Sequence, residues 1–343
     1  DGEFDRSYAT AVKAEPQNAA LWMGWFQLYS QRKDWDRAAT VLCDALDQNP
    51  GNRAFELAKL YLASESGLAR DNAALFDAVA DLADLGIDLC RVRHHLRGGD
   101  AQRAIAIAER HTNGPAARMF WPYLSLCWRL LDDPRAGWLD GAPIFANAID
   151  LDFSAAELAE LAEVLRSLHR LKAPYPDQSV RGGTQTDRQL FFHPDPAIQS
   201  ARRKVAEAVR NYVEALPAVD TSHPLLGPPR DQPMLFEGSW SVRLAGAGYH
   251  AAHTHVMGWI SSALYIVVPE PAAAGAAPAG YLALGAPPPE LELGLPAYQH
   301  IEPQPGRLAL FPSTLWHGTE PFTAGERMTI AFDIRIPQVP AAF

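Results

Sequence analysis

The hydrophobic period changes once along this 343-residue chain, and that change limits what the chain can fold into. Between residue 5 and about residue 172, apolar residues recur at helical spacing. From Gly238 onward, short alternating or β-branched runs are separated by glycine and proline. Helices followed by strands predict an α+β protein with two separate parts. Because proline and glycine cluster at 173–184, we expect domains at residues 1–175 and 176–343.

The first part carries the spacing of a helical repeat. Pro16 and Pro50 lie 34 residues apart, which is the tetratricopeptide period. In that register, aromatic and small residues fall where two packed helices need them, at 19–31 and 35–48, with a turn at 33–34. A generic helical hairpin is the alternative. Further helices are predicted at 55–63, 73–84, 101–111, 120–131 and from a cap at Ser154. Stacked repeats would form a concave surface that could present a peptide or protein.

The second part is expected to be a small sandwich or barrel of the jelly-roll type. A helix at 197–216, capped by Asp195 with Pro196 at its first position, is predicted to pack outside it. About eight short strands are predicted, at 239–244, around 253–255, and at 259–268, 281–284, 291–293, 300–303, 307–311 and 328–336. A turn is expected at 246–248.

Three histidines have the spacing of a metal site. His253 and His255, at i and i+2, share one face if they lie on a strand, and His317 follows the strand at 307–311. Such ligands would hold non-haem iron(II) and leave positions open for a 2-oxo acid and dioxygen. His250 could donate a ligand instead. Three histidines and a water would also suit zinc, so the metal stays open.

A cation follows the third histidine and could bind the far end of a 2-oxo acid. Arg327 opens the last strand, and its planar fork suits a carboxylate. Thr329 shares its face and can add a hydrogen bond. Tyr265 lies ten residues beyond His255 and either lines the same pocket or belongs to the core. The alternative for Arg327 is an ion pair with Glu326 or Glu320.

Residues from about 184 to 336 resemble the 2-oxoglutarate- and Fe(II)-dependent oxygenases that often carry tetratricopeptide repeats at their N-terminus. The residues that carry this resemblance are 238–244, 253–255 with 258–265, 306–319 with 321–322, and 325–333. The resemblance implies a double-stranded β-helix, iron(II), 2-oxoglutarate and dioxygen. It implies that His253 and His317 are metal ligands and that Arg327 and Thr329 hold the cosubstrate. His255 stands where the wider superfamily usually has a carboxylate, so three neutral ligands would leave the site more positive by one charge.

Three functions follow from these patterns. The first is a 2-oxoglutarate-dependent hydroxylase with His253, His255, His317 and Arg327 as catalytic residues and a peptide or protein substrate presented by the repeats. The second is a metal-dependent oxygenase or hydrolase that does not use 2-oxoglutarate. The third is a repeat scaffold whose barrel is inactive. Arg327 with Thr329 favours the first over the second, and the good ligand type at every metal position disfavours the third.

Charge and cysteine content limit which classes of partner and which cellular compartment are expected. Lys+Arg 30 against Asp+Glu 40 gives a net charge of −10, which disfavours a nucleic-acid partner. The three cysteines form no CxxC pair and are typical of reduced residues in a cytoplasmic protein. No apolar run approaches the roughly 20 residues of a membrane helix, so no membrane partner is expected.

Overall fold

The described residues form two compact units. The computed structural model of the protein describes residues 4–67, 72–141, 143–172, 178–186 and 189–337. One unit is helical and comprises residues up to 116 together with Pro289–Leu293. The other comprises the described residues from 117 onward without that short segment, and it contains every strand described. The predicted α+β class is confirmed.

The helical unit begins with the predicted hairpin. Its helices are α1 Arg6–Ala14, α2 Ala19–Gln31, α3 Trp35–Gln48, α4 Arg53–Ser66, α5 Ala73–Asp77, α6 Leu85–Arg97 and α7 Ala101–Ala108. The bounds of α2 and α3 are those that the 34-residue spacing predicts. Lys33 turns the chain between them with a φ of 56°, and Asp34 caps α3 by accepting from the N–H of Arg37. Trp22 and Phe26 of α2 pack against Leu42 of α3 in one buried cluster.

That hairpin supports a helical repeat, but its tetratricopeptide character stays a prediction. The predicted helix at 73–84 was wrong beyond Asp77, because α5 ends there and turns follow. The helix predicted at 101–111 is α7 with a 3-10 turn, Glu109–His111, at its end. Within the described part of the chain, no helix combines the length and apolar composition needed to span a bilayer. A cytoplasmic location stays a prediction.

Five residues far along the chain complete the helical unit. The Glu290 carboxylate forms an ion pair with Lys33, with Nζ 2.7 Å from Oε1. Its backbone carbonyl accepts from Arg97 Nε at 2.9 Å, and the same guanidinium donates to the carbonyls of Ala63 and Ser64. Residues 289–291 form a 3-10 turn, so the strand predicted at 291–293 was wrong. The Glu290 carbonyl binds the side chain of Arg97, and the N–H of Glu292 closes the turn by donating to the Pro289 carbonyl at 3.0 Å, so neither group pairs with a neighbouring strand.

The second unit consists of two antiparallel sheets flanked by helices. Its helices are α8 Ala117–Leu130, α9 Arg135–Leu139, α10 Ala155–Leu168, α11 Pro196–Ala215 and α12 Pro271–Ala274. Its strands are β1 Asn147–Asp150, β2 Val180–Gln185, β3 Phe236–His250, β4 Gly258–Val267, β5 Leu282–Leu284, β6 Gln299–Ile301, β7 Arg307–Pro312, β8 His317–Thr319 and β9 Glu326–Arg335. The larger sheet has the order β1-β7-β4-β9-β3-β2 and the smaller has the order β6-β5-β8. This is the predicted β-sandwich.

The larger sheet has helices on one face and the smaller sheet on the other. Leu161 of α10 and Val205 of α11 belong to the same buried cluster as Ile330 and Phe332 of β9. On the opposite face, side chains of β4 and β7 pack against those of β5 and β6. The capping box of Ser154 on α10 and the Asp195 cap of α11 form as predicted. The space between the two sheets is where the inward side chains of β9 lie.

Three expectations about this unit were wrong in their limits. Asn147–Asp150 lies inside the segment that reads as helical, yet it forms the edge strand β1 paired with β7. Four residues are too few to display a period, and the ladder to β7 decides their conformation. The turn expected at 246–248 is an irregularity inside β3, where Ala247 has a φ of 54°. Likewise, the break expected at 181–184 is part of β2.

The predicted domain boundary near residue 175 does not coincide with the division into units at residues 116 and 117. The proline-rich part of that boundary, residues 173–177, lies outside the described residues. Separate folding of residues 1–175 and 176–343 stays a prediction. Because β1 pairs with β7, a fragment beginning at residue 117 retains more of the sheet than one beginning at residue 176.

Candidate active site

Strand β9 brings the charged candidates to the inside of the sandwich by simple alternation. Met328, Ile330, Phe332 and Ile334 belong to the core under the helices. The residues between them therefore face the smaller sheet, since successive strand residues point to opposite faces. Arg327, Thr329 and Asp333 all lie on that inner face and are 2%, 3% and 8% exposed. A polar side chain so deeply buried needs a partner or a ligand.

Two of the three histidines are joined through their backbones. His253 forms an isolated bridge with His317, the first residue of β8. The N–H of each donates to the carbonyl of the other at 3.0 Å. In such a hydrogen-bonded pair the two side chains lie side by side. Their ring centroids are 4.3 Å apart, so residues 64 positions apart in sequence become neighbours.

His255 reaches the same place from a loop. Its N–H donates to the carbonyl of Ser313 at 2.9 Å, and its carbonyl accepts from Gly258 at 3.2 Å. The prediction that His253 and His255 share a regular strand was wrong, because the chain pairs only at His253 and turns at 256–257 before β4 begins. The rings still lie 5.0 Å apart, and that of His255 is 4.9 Å from His317.

The hydrogen bonds of the three rings place the proton on the same nitrogen. Nδ1 of His253 lies 2.8 Å from the carbonyl of Ala251, and Nδ1 of His317 lies 3.0 Å from that of Leu315. Nδ1 of His255 lies 2.7 Å from a carboxylate oxygen of Asp333. Each acceptor requires the proton on Nδ1, so Nε2 of each ring keeps its lone pair. One ligand atom from each histidine lies within 4.8 Å of the others, so the trio can hold a metal ion.

Burial disfavours the charged form of His317. It lowers the pKa of His317 well below its ordinary value, and the neighbouring His253 and His255 lower it further. Burial likewise depresses the pKa of His250. A metal binds the neutral imidazole, so these surroundings fit a metal site. The ring of His250 stacks on that of His253 with centroids 6.0 Å apart, and its Nδ1 contacts Ser179 Oγ. His250 does not belong to the histidine trio that could hold a metal ion.

A second feature, one strand away, suits an anion. The Arg327 guanidinium carbon lies 4.9 Å from the ring centroid of Tyr265. Tyr265 is paired across the sheet with Thr329, so the three predicted cosubstrate residues lie together on one face of the sheet. Burial lowers the pKa of Arg327, although a guanidinium remains charged. Arg327 Nε and Tyr265 Oη are buried and have no hydrogen-bond acceptor among the described residues. An unused donor on the guanidinium and a second on the neighbouring Tyr265 hydroxyl fit a carboxylate group.

The ion pairs considered as the alternative for Arg327 are made by other residues. Glu326 pairs with Arg166 and Arg243, each at 2.6 Å. Glu320 lies 3.1 Å from His300. Arg166, the largest cause, and Arg243 lower the pKa of Glu326. The neighbouring carboxylates are therefore engaged on the outside of the sandwich.

Sequence reasoning missed the polar residues that support the histidines. Asp333 and Ser261 are paired across β9 and β4, and Ser261 Oγ donates to Asp333 Oδ1 at 2.6 Å. Ser179 Oγ lies 3.3 Å from His253 Nε2. The alternation from Arg327 and Thr329 to Asp333 was the available signal. It places Asp333 on the inner face but does not say which histidine it meets.

Comparison with known proteins agrees with this geometry. Residues 238–333 match the model of the family described as "Putative 2OG-Fe(II) oxygenase". The match covers less than a third of the chain and includes all three histidines, Arg327, Thr329 and Tyr265. The resemblance inferred from sequence is thereby confirmed for this segment. No curated protein has significant sequence similarity to the chain.

Several solved structures resemble part of the chain. They include the viral collagen prolyl hydroxylase of Paramecium Bursaria Chlorella virus-1 with 2OG, at 17% identity over 56% of this chain and 96% of that one, with a TM-score of 0.38. A Pseudomonas putida prolyl-4-hydroxylase has 16% identity over 57% and 95%, with a TM-score of 0.40. HygX from Streptomyces hygroscopicus, with nickel, 2-oxoglutarate and hygromycin B bound, has 13% identity over 60% and 87%, with a TM-score of 0.40. At these scores the likenesses carry no weight in assigning the site.

Proposed function

We propose that the protein is an Fe(II)- and 2-oxoglutarate-dependent dioxygenase that hydroxylates its substrate. His253, His255 and His317 are the proposed metal ligands. Arg327, Thr329 and Tyr265 are proposed to bind the distal carboxylate of 2-oxoglutarate. The family match over residues 238–333 supports the reaction type, and the geometry of this chain's own side chains supports the assignment of roles.

The observation that carries the proposal is a buried arginine with an unused donor on the strand whose Asp333 contacts one of three clustered imidazoles. A buried cation without a counter-ion is costly, so it needs an anionic partner. Arg327, Thr329 and Asp333 lie on the same inner face of β9, and Asp333 contacts His255. A dianion with one end near the histidines and the other near Arg327 satisfies both features. A hydrolytic zinc site gives no reason for this arginine.

The residues of the chain have distinct tasks in this proposal. The Nδ1–H bonds of the three histidines fix their tautomer and restrain their orientation. Arg327 and Thr329 orient the cosubstrate, while the apolar walls formed by Ala263, Phe311 and Leu315 limit water. When bound, iron(II) would activate dioxygen, which is the oxidant, and 2-oxoglutarate would supply two of the electrons as it is decarboxylated to succinate.

The decisive experiment is anaerobic titration of the metal-free protein with iron(II) and then with 2-oxoglutarate. We expect a weak visible absorption band that needs both additions, because it arises from charge transfer between them. Succinate should then form when air is admitted. Metal binding without the band would instead favour an oxygenase or hydrolase that does not use 2-oxoglutarate. Absence of metal binding would favour the inactive scaffold.

We further propose a peptide or protein substrate, supported by the helical hairpin of α2 and α3 and its repeat-like spacing. The test is incubation of the iron-loaded protein with a peptide library, 2-oxoglutarate and air. Mass spectrometry should detect peptides that gain one oxygen atom. A matched reaction without 2-oxoglutarate controls for spontaneous oxidation. Oxidation of small metabolites with none of peptides would contradict this substrate class.

A further inference from the structure

A carboxylate lies directly behind one of the three histidines. Asp333 Oδ1 is 2.7 Å from His255 Nδ1, and Asp333 is 8% exposed. The corresponding Nδ1 atoms of His253 and His317 face neutral backbone carbonyls. His255 is thus the member of the trio whose Nδ1 meets a carboxylate, whereas the Nδ1 atoms of the other two contact carbonyls of described residues.

The carboxylate is held in place by its own partners. Ser261 Oγ lies 2.6 Å from Asp333 Oδ1 and 2.9 Å from Ser313 Oγ. A hydroxyl has one proton, so the shorter contact indicates that Ser261 donates to Asp333 and accepts from Ser313. The closely packed surroundings leave little room for another arrangement. A Cβ at Gly258 would lie 2.5 Å from Ser313 Oγ and 3.2 Å from Asp333 Cβ.

The position of this charge has a chemical consequence. Three neutral imidazoles leave a bound divalent cation with its full charge, whereas a carboxylate ligand would cancel one unit. A carboxylate that accepts the Nδ1–H bond makes the imidazole a stronger donor and returns part of that negative charge through the ring. The same bond fixes the tautomer that presents Nε2. A His255–Asp333 pair of this kind would therefore supply part of the charge of one anionic ligand.

From this geometry we infer that Asp333 is a positioning residue of the metal centre and supplies, through His255, the negative charge that the ligand set lacks. The inference rests on the proposed function, because it takes the three histidines to be the ligands. It goes beyond that function in naming which residue sets the charge of the site. Ser261 orients the carboxylate and belongs to the same arrangement.

The test compares two chemically identical substitutions in the full-length chain. Asp333→Asn removes the charge at nearly constant volume, and its amide can turn its N–H toward His255 Nδ1, which would move the proton to Nε2. Asp150→Asn is the matched control, because Asp150 is an exposed strand carboxylate paired with Arg307 at 2.7 Å. We expect Asp333→Asn to weaken Mn(II) binding by about 10- to 100-fold in calorimetric titration, the usual range for such a residue. Asp150→Asn should bind as the parent does.

Two spectroscopic readouts separate this role from a merely structural one. In the metal-free parent, imidazole nitrogen NMR should find the His255 proton on Nδ1, which requires no variant to fold. With iron(II) and 2-oxoglutarate, Asp333→Asn should move the charge-transfer band to higher energy, because a more positive iron holds its electrons more tightly. Unchanged Mn(II) affinity in a folded Asp333→Asn variant, or an Nε2 proton on His255 in the parent, overturns the inference.

The two proposals fail in different ways. A parent that binds Mn(II) without ever binding 2-oxoglutarate overturns the proposed function, and the Mn(II) titration of Asp333→Asn still decides the role of Asp333. A parent that binds both, with a variant that matches it in affinity, overturns only the role of Asp333. A parent that binds no divalent cation overturns both.

Discussion

Replacing Arg327 with alanine should weaken 2-oxoglutarate binding by about two to three orders of magnitude. Arg327 is 2% exposed, and its buried Nε has no acceptor among the described residues. Removing one partner of a desolvated charged pair costs about 3–5 kcal/mol. At about 1.4 kcal/mol per tenfold change, the lower part of that range corresponds to the predicted loss. Metal binding should survive, because the guanidinium is not a ligand.

The assay is calorimetric titration of 2-oxoglutarate into Mn(II)-loaded protein, with Mn(II) affinity measured separately. Arg327→Lys should recover only part of the loss, since an ammonium group cannot reproduce the planar fork. Arg335→Ala is the matched control. Arg335 lies on the same strand but is exposed and paired with Glu237 at 2.5 Å. It should bind 2-oxoglutarate as the parent does.

One result would refute the reasoning. If Arg327→Ala binds 2-oxoglutarate as tightly as the parent while remaining folded, the buried cation is structural. The proposed cosubstrate site would then lose its main support. A loss of equal size in Arg335→Ala would point to general destabilisation instead of a specific carboxylate contact.

Four further predictions concern the metal site, its packing and the stability of the fold. His317→Ala should greatly lower metal content measured by elemental analysis, because two remaining ligands hold a metal poorly, and unchanged content would remove His317 from the site. Gly258→Ala should destabilise the protein and weaken Mn(II) binding, since its Cβ would meet Ser313 Oγ at 2.5 Å, and a parent-like thermal midpoint would contradict this contact. Burial raises the pKa of Asp140 to about 7. The neutral side chain therefore contributes stability that is fully present below about pH 4 and is lost as the pH rises through about 7. Asp140→Asn should raise the thermal midpoint more at pH 8 than at pH 4.5, and an equal effect at both pH values would disprove this. A fragment of residues 117–343 should unfold at a higher temperature than residues 176–343, because only the longer one contains β1, and equal midpoints would show that β1 adds nothing.

Helix bounds and caps were predicted correctly where residues close in sequence determine them. The α2–α3 hairpin has the predicted bounds because amphipathic spacing and the Asp34 cap act within a few residues. The caps at Ser154 and Asp195 form for the same reason. The His253, His255 and His317 set could be proposed because each histidine lies beside a strand signal. Their roles as ligands stay predictions, supported by one ligand atom of each ring lying within 4.8 Å of the others.

Features that depend on distant partners could not be predicted in the same way. Asp333 meets His255 only because β4 and β9 pair in one register, which no local window contains. The four residues of β1 gain their conformation from β7. His255 looked like a strand residue because His253 lies two positions before it, but its backbone binds Ser313 instead. Strand alternation predicts which residues of β9 lie on the inner face, but the pairing of distant strands decides which groups those residues meet.

The five residues Pro289–Leu293 limit how this chain could be rearranged by recombination. They lie between β5 and β6 in sequence, but Glu290 binds Lys33 and Arg97 of the helical unit. A chimaera that joined the helices to an unrelated barrel would leave Lys33 without its carboxylate and Arg97 without one of its carbonyls. A useful exchange would have to transplant this loop as well. The helical unit therefore cannot be treated as a cassette encoded by one continuous stretch of the gene.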